Sequence, residues 1–167
     1  DNLNNLAKTY NCDLIQLKKS ETVYRKLAKA GLEIIGDHEW PNHVGIYSWP
    51  IRMCVQLNIK SIFWGELPGL IGMGRWDFMV KQKKIDRDWV EEHVGMNGLR
   101  LNDILEFDKS LSEKDVLPYT YPDSKAVAKL KLQPYITGQF FKWDWNHVIK
   151  FIKNYGWKEG SGKIEGD

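Results

Sequence analysis

The sequence predicts an α/β fold. Part of a parallel sheet is expected over residues 1–66, a mixed, mostly helical continuation over 67–157, and a flexible tail over 158–167. Three observations predict it. Ile62-Phe63-Trp64 is short, aromatic and β-branched with no polar alternation, as a parallel strand covered on both faces should be. The first half reads helix, strand, helix, helix, strand, the alternation that builds parallel sheets through right-handed crossovers. The strands are also fewer than a doubly wound sheet needs, so the chain reads as a piece of a larger domain.

Taken in order, Asn2 to Tyr10 is helical, with Leu3, Leu6 and Ala7 on one side. Asp13-Leu14-Ile15-Gln16-Leu17 reads as a strand. Ser20 caps a helix from Glu21 to about Ala30, turning Val23, Tyr24, Leu27 and Ala28 inward, with Gly31 as its terminator. Gly36 to His43 is the most polar loop of this half. Pro50, with its fixed φ and missing N–H, starts the next helix, capped by Ser48 or Trp49. Ile51, Cys54 and Val55 form its apolar stripe, Arg52 and Gln56 a narrow polar strip, and Asn58 its left-handed end.

In the second half, Leu67 to Arg75 is glycine-rich, and its glycines fit neither a Walker nor a dinucleotide spacing. It reads as a lid. Asp86 caps a helix through Trp89 to His93, Ser112 and Asp115 make a capping box, and Asp123 or Ser124 caps a helix through Leu130. Lys125, Lys129 and Lys131 are its solvated face. Asp144 caps a last helix from Trp145 to Tyr155, closed by Gly156.

With 167 residues, 43% of them hydrophobic, the chain can form a core. Lys and Arg number 24 against 22 acidic residues, a net +2 that offers no field for nucleic acid or an anionic membrane surface. No apolar run nears the roughly 20 residues that span a bilayer, and no leader opens the chain, so a cytoplasmic protein is expected. Cys12 and Cys54 read as buried, reduced thiols. The eight tryptophans read as core, with a few exposed indoles able to stack on a sugar or a base.

Ligands of open α/β sheets sit outside the carboxyl ends of the strands. Gly65, which permits close backbone approach, and Glu66 follow the Ile62–Trp64 strand and are the first place to look for chemistry. His43 precedes the helix that leads into that strand and can point to the same edge. Asp37, His38 and His43 have donor types that suit a metal, but their spacing matches no metal motif and none is assigned.

The run GDHEWPNHVGIYSWPIRMCVQLNIKSIFWGE, preceded by NCDLIQLKKSETVYRKLAKAG and followed later by GQFFKWDW, resembles the N-acetyl sugar amidotransferases of surface-polysaccharide, lipopolysaccharide and nonulosonic-acid biosynthesis. Those proteins are similar to PP-loop ATP pyrophosphatases, which share the adenine nucleotide alpha hydrolase-like fold. The resemblance covers most of residues 1–160 and is most specific in HVGIYSWPIR, the strand ending in WGE, and FFKWDW. It implies ATP and magnesium as cofactors of the full-length protein. The acetamido group of a nucleotide- or lipid-linked sugar would become an acetamidino group with ammonia from a glutaminase partner. Under this reading Glu66 is the catalytic candidate, binding magnesium or sugar hydroxyls. Arg52 can pair with a phosphate, or else form a salt bridge or face solvent. Trp64 or Trp143 can stack on adenine or the sugar, and Asp144 is a plain N-cap or a site residue.

Two departures from the family pattern stand out. A phosphate loop of the form SGGKDS is absent, its place lying before Asp1, and Ser161-Gly162-Lys163 lacks the strand and helix that would make it a substitute. Cysteines usual before the HxGI run are replaced by Glu39, Trp40, Pro41 and Asn42. The chain is therefore expected to be inactive alone, to hold no tightly bound cofactor, and to self-associate through uncovered apolar surface. Two other readings stand beside this one. They are another PP-loop chemistry, such as thiolation or amidation, and a non-catalytic module for binding or assembly.

Overall fold

The computed structural model describes residues 2–65, 86–92, 96–137, 140–141 and 144–158. These residues are mixed α/β and mostly helical, with one small parallel sheet. The helices are α1 (Asn2–Tyr10), α2 (Glu21–Ile35) and α3 (Trp40–Leu57) before the strand β1 (Ser61–Trp64). There follow α4 (Arg87–Glu92), α5 (Leu101–Phe107), α6 (Glu113–Val116) with a 3₁₀ turn at Leu117–Tyr119, and α7 (Ser124–Leu130). The strand β2 (Gln133–Ile136) and the helix α8 (Trp145–Lys153) complete the order. The expected boundary between residues 66 and 67, the glycine-rich run 67–75 and most of the tail lie outside the described residues.

The chain divides into two compact units, residues 1–17 with 141–167, and residues 18–140. In the first, the side-chain amide of Asn2 bonds the Lys158 backbone in both directions at 2.8 and 2.9 Å. Asn5 donates to the Tyr155 carbonyl at 2.7 Å, and Tyr10 stacks on Tyr155. Asp144 caps α8 by accepting the His147 N–H at 3.1 Å, as the sequence predicts, and Gly156 takes a positive φ of 78°. The strand expected at Asp13–Leu17 does not form, and Leu14 and Ile15 are exposed. Its apolar Leu14, Ile15 and Leu17 suit a strand, yet a strand needs a neighbour for its N–H and C=O groups. No described strand pairs with it. Cys12 is exposed rather than buried, while Cys54 is buried and both thiols are free.

The second unit is built around α3. Its core joins Leu27 and Ala30 of α2, Trp40, Val44, Tyr47 and Ile51 of α3, Trp64, Trp89, Ile104, Val116 and Tyr119. Ser20 caps α2 through the Val23 N–H, but the helix passes Gly31 and ends at Gly36, which has φ 76°. Gly31 serves packing instead. A Cβ there would lie 2.4 Å from the Asp37 carbonyl oxygen and 2.5 Å from Trp40 Cβ, so only glycine lets the next turn fold back against α2.

α3 starts at Trp40, ten residues before the expected start at Pro50. Pro41 takes the first-turn place that suits proline, and Pro50 lies inside the helix. An internal proline cannot bond the carbonyl of residue i−4, at a cost of about 3 kcal/mol. Here that carbonyl belongs to Ile46, and the Trp64 indole Nε1–H donates to it at 3.1 Å. The strand thus supplies the donor that Pro50 lacks. Ser48, expected as a cap, is fully buried, with its hydroxyl 2.9 Å from the Val44 carbonyl and 2.8 Å from that of Pro118. Asn58 ends the helix in the left-handed region, as predicted.

β1 and β2 pair in parallel, Ser61 opposite Gln133 and Trp64 opposite Ile136. The sequence did not suggest β2, because Pro134 interrupts it. Among the described residues both strands are sheet edges, where a missing N–H is tolerated. β1 is covered on one face only. Trp64 is buried, whereas Phe63 is 67% exposed and stacks on Tyr135 at 4.9 Å. The caps predicted at Asp86, the Ser112–Asp115 box and Asp123 are all present.

Candidate active site

The polarity of α3 against β1 locates the candidate site. The short turn at Asn58–Lys60 reverses the chain, so Trp64, the last residue of β1, lies beside the first half of α3. Its indole reaches the Ile46 carbonyl, and its ring is 5.7 Å from that of Tyr47. His43 then stands about 4.5 Å further along the axis, at a helical rise of about 1.5 Å per residue. The start of α3 and the carboxyl end of β1 therefore share one edge. The neighbouring strand ends there too, where the Thr137 hydroxyl donates to the Trp64 carbonyl at 2.9 Å. Gly65 follows in open space, since a Cβ on it would meet nothing within 4 Å.

At the start of α3 a polar network forms. His43 Nδ1 is 2.7 Å from Asp37 Oδ2, the two side chains being 24% and 20% exposed. A carboxylate can only accept, so Nδ1 carries a proton, and in the neutral imidazole the lone pair is on Nε2. Nε2 has no partner among the described residues. Asp37 is itself held, because its other oxygen accepts the Glu39 N–H at 2.9 Å. Asn42 donates to the Tyr24 hydroxyl at 2.9 Å and to Glu39, and Tyr24 donates to Glu39 at 3.4 Å. Burial first, then the Glu39 charge, raises the Tyr24 pKa above the ordinary phenol value, which keeps this hydroxyl a donor. The result is a fixed imidazole with one nitrogen free to take a proton.

The other predicted residues have different surroundings. Arg52 Nη2 donates to the carbonyls of Leu117 and Thr120 and to the Thr120 hydroxyl, all at 3.0 Å, and braces the turn that follows α6. Its burial lowers its pKa without discharging it. Asp144 caps α8 in the first unit. Glu66 and Trp143 lie outside the described residues. His38 is exposed and 3.6 Å from Glu39. No group of three His, Cys, Asp or Glu side chains that could hold a metal occurs among the described residues. Sequence reading missed the network of Tyr24, Glu39 and Asn42, which depends on the loop folding back on α2 and has no local spacing to announce it.

No family model matches the chain, and no curated protein matches it. Among the described residues no helix is long and apolar enough to cross a membrane.

Proposed function

We propose that this chain is part of an ATP-dependent enzyme of the PP-loop kind that converts the N-acetyl group of a nucleotide- or lipid-linked sugar into an acetamidino group, in the cytoplasm. One observation carries the reading. The stretch that most resembles the sugar amidotransferases, HVGIYSWPIR to WGE, covers most of α3 and β1, and the Trp64–Ile46 hydrogen bond sets the carboxyl end of β1 beside the half of α3 that carries His43, itself paired with Asp37. That edge is where α/β sheets of this class bind their ligands.

ATP, when bound, supplies the activation that lets the acetamido oxygen leave. The described carboxylates at the edge are not arranged to hold magnesium, since Asp37 is taken by His43 and Glu39 by Tyr24 and Asn42. In this proposal those contacts fall to residues outside the described ones, Glu66 first among them. The described residues serve the other half of the chemistry. His43, fixed by Asp37, takes a proton from the ammonia that a glutaminase partner delivers as it joins the acetamido carbon. Gly65 leaves room for the substrate to approach the backbone.

The test is mass spectrometry of a nucleotide-linked N-acetyl sugar incubated with ATP, magnesium, ammonium and the longest natural form of the protein. Conversion of acetamido to acetamidino is expected, with His43→Gln reducing kcat by about 10²-fold, the usual effect of losing one general base. Conversion untouched by His43→Gln removes the residue from the mechanism. No conversion and no pyrophosphate release refutes the reading.

A further inference from the structure

A cavity of about 390 Å³ lies within the second unit, walled by α4, α5 and the segment 116–121, with no residue of β1 in its lining. Its volume falls within the roughly 300–1,000 Å³ of small-molecule sites. Trp40, Met96, Leu99 and Tyr119 form an apolar floor, while Arg87, Glu91, Arg100 and Asn102 supply the polar walls. Glu91 is 9% exposed and sits between two guanidinium groups, Arg87 Nε at 2.8 Å on one oxygen and Arg100 Nε at 3.7 Å on the other. Arg100 also donates to the Glu91 carbonyl and to Glu92.

This pairing decides what the cavity can hold. Each positive charge already has a carboxylate, so a phosphate would have to displace Glu91 or Glu92 and leave a nearly buried carboxylate without its partner. A hydroxyl faces no such competition, because it donates and accepts at once. Beyond Nε, Arg87 has no hydrogen bond among the described residues, and neither does the Asn102 amide. The Trp40 indole N–H is buried and without a partner among them. Unspent donors, a fixed carboxylate acceptor and an apolar floor match the vicinal hydroxyls and C–H face of a sugar ring.

We propose that this cavity binds a neutral pyranose. The preference for a neutral polyol rests on the walls alone, and His43, Asp37 and Gly65 are not among the lining residues, so this is a site apart from the β1 edge. The experiment is saturation-transfer NMR and calorimetry on residues 1–167 with N-acetylglucosamine as the probe and inorganic phosphate as the competitor. Asn102→Trp puts a bulky ring at an exposed position of the lining, and Arg87→Gln removes a donor while Arg100 still pairs Glu91. The parent is expected to bind the sugar, Asn102→Trp to lose it, and Arg87→Gln to weaken it about tenfold or more, as for one hydrogen bond to a charged group. Absence of binding in the parent, equal binding by Asn102→Trp, or tighter binding of phosphate than of sugar overturns the proposal. Sugar bound here by a protein that never converts it would refute the proposed function alone.

Discussion

Gly31→Ala is expected to destabilise the protein even though alanine is the better helix former. Inside α2 the substitution gains about 1 kcal/mol of helix propensity. Against this, the new Cβ would meet the Asp37 carbonyl oxygen at 2.4 Å and Trp40 Cβ at 2.5 Å. Neither is the free end of a flexible side chain, and Trp40 is 1% exposed, so relief requires the turn and the helix to separate. Overpacking of this kind costs about 1–3 kcal/mol, and a rigid contact belongs at the upper end. The net loss is then about 1–2 kcal/mol. It should appear as a lower urea midpoint at an unchanged slope and a fall of several degrees in Tm. The same movement carries Asp37 away from His43, so the imidazole Nδ1–H signal in NMR should broaden or shift. A Gly31→Ala protein as stable as the parent, with that signal unmoved, would refute the packing argument.

Trp64→Phe should cost about 1–3 kcal/mol beyond its lost packing, because the Ile46 carbonyl then has neither the indole nor the N–H that Pro50 lacks; a double-mutant cycle with Pro50→Ala should recover part of it. Ser48→Ala removes the buried hydroxyl that serves Pro118 and should lower the unfolding free energy by about 1–2 kcal/mol, read as a lower urea midpoint, whereas Ser48→Thr, by adding a methyl at a fully buried site, is no rescue. Burial, helped by the charge of Asp86, pushes the Tyr121 phenol up to about 12 from an unfolded value near 10. A group whose folded pKa is raised lends stability that is whole below its unfolded pKa, so this part should persist to about pH 10 and be lost as pH rises toward 12. Ultraviolet titration of tyrosinate alongside denaturation should show both changes, and a flat stability profile across that range in the parent but not in Tyr121→Phe would contradict the sign.

Local chemistry was legible in the sequence, and position in space was not. Ser20, Asp86, Ser112, Asp123 and Asp144 cap helices through bonds to residues two or three places on, so a short stretch contains the whole interaction. Asn58 is likewise a local matter of φ. Gly31 misled because a glycine in a helix can mark an end or a close approach, and only the folded turn at Asp37 and Trp40 distinguishes them. β2 escaped notice because the allowance for Pro134 comes from lying at a sheet edge, a fact about the partner strand. Phe63 looked like core since a four-residue aromatic strand reads the same whether one face or two are covered. His43 was visible as a candidate, but its bond to Asp37 depends on where α3 begins.

That beginning links the fold to the site. Had the helix started at Pro50, His43 would belong to a loop and its imidazole would have several rotamers open to it. With the start at Trp40, Pro41 fills the first turn, and the Trp64 indole lets the helix run through Pro50 without an orphaned carbonyl. The same indole ties the last residue of β1 to the first half of α3, so the strand end and His43 are held to one edge by one hydrogen bond and one aromatic contact. Asp37 then fixes the imidazole from the turn that Gly31 allows to fold back. Proline, tryptophan and glycine, three residues with no side-chain acid or base, thereby bear on where the His43 imidazole stands. Under the proposed function, substitutions at Gly31 or Trp64 should accordingly lower conversion of the sugar more than the stability they remove can explain at temperatures well below the melting transition.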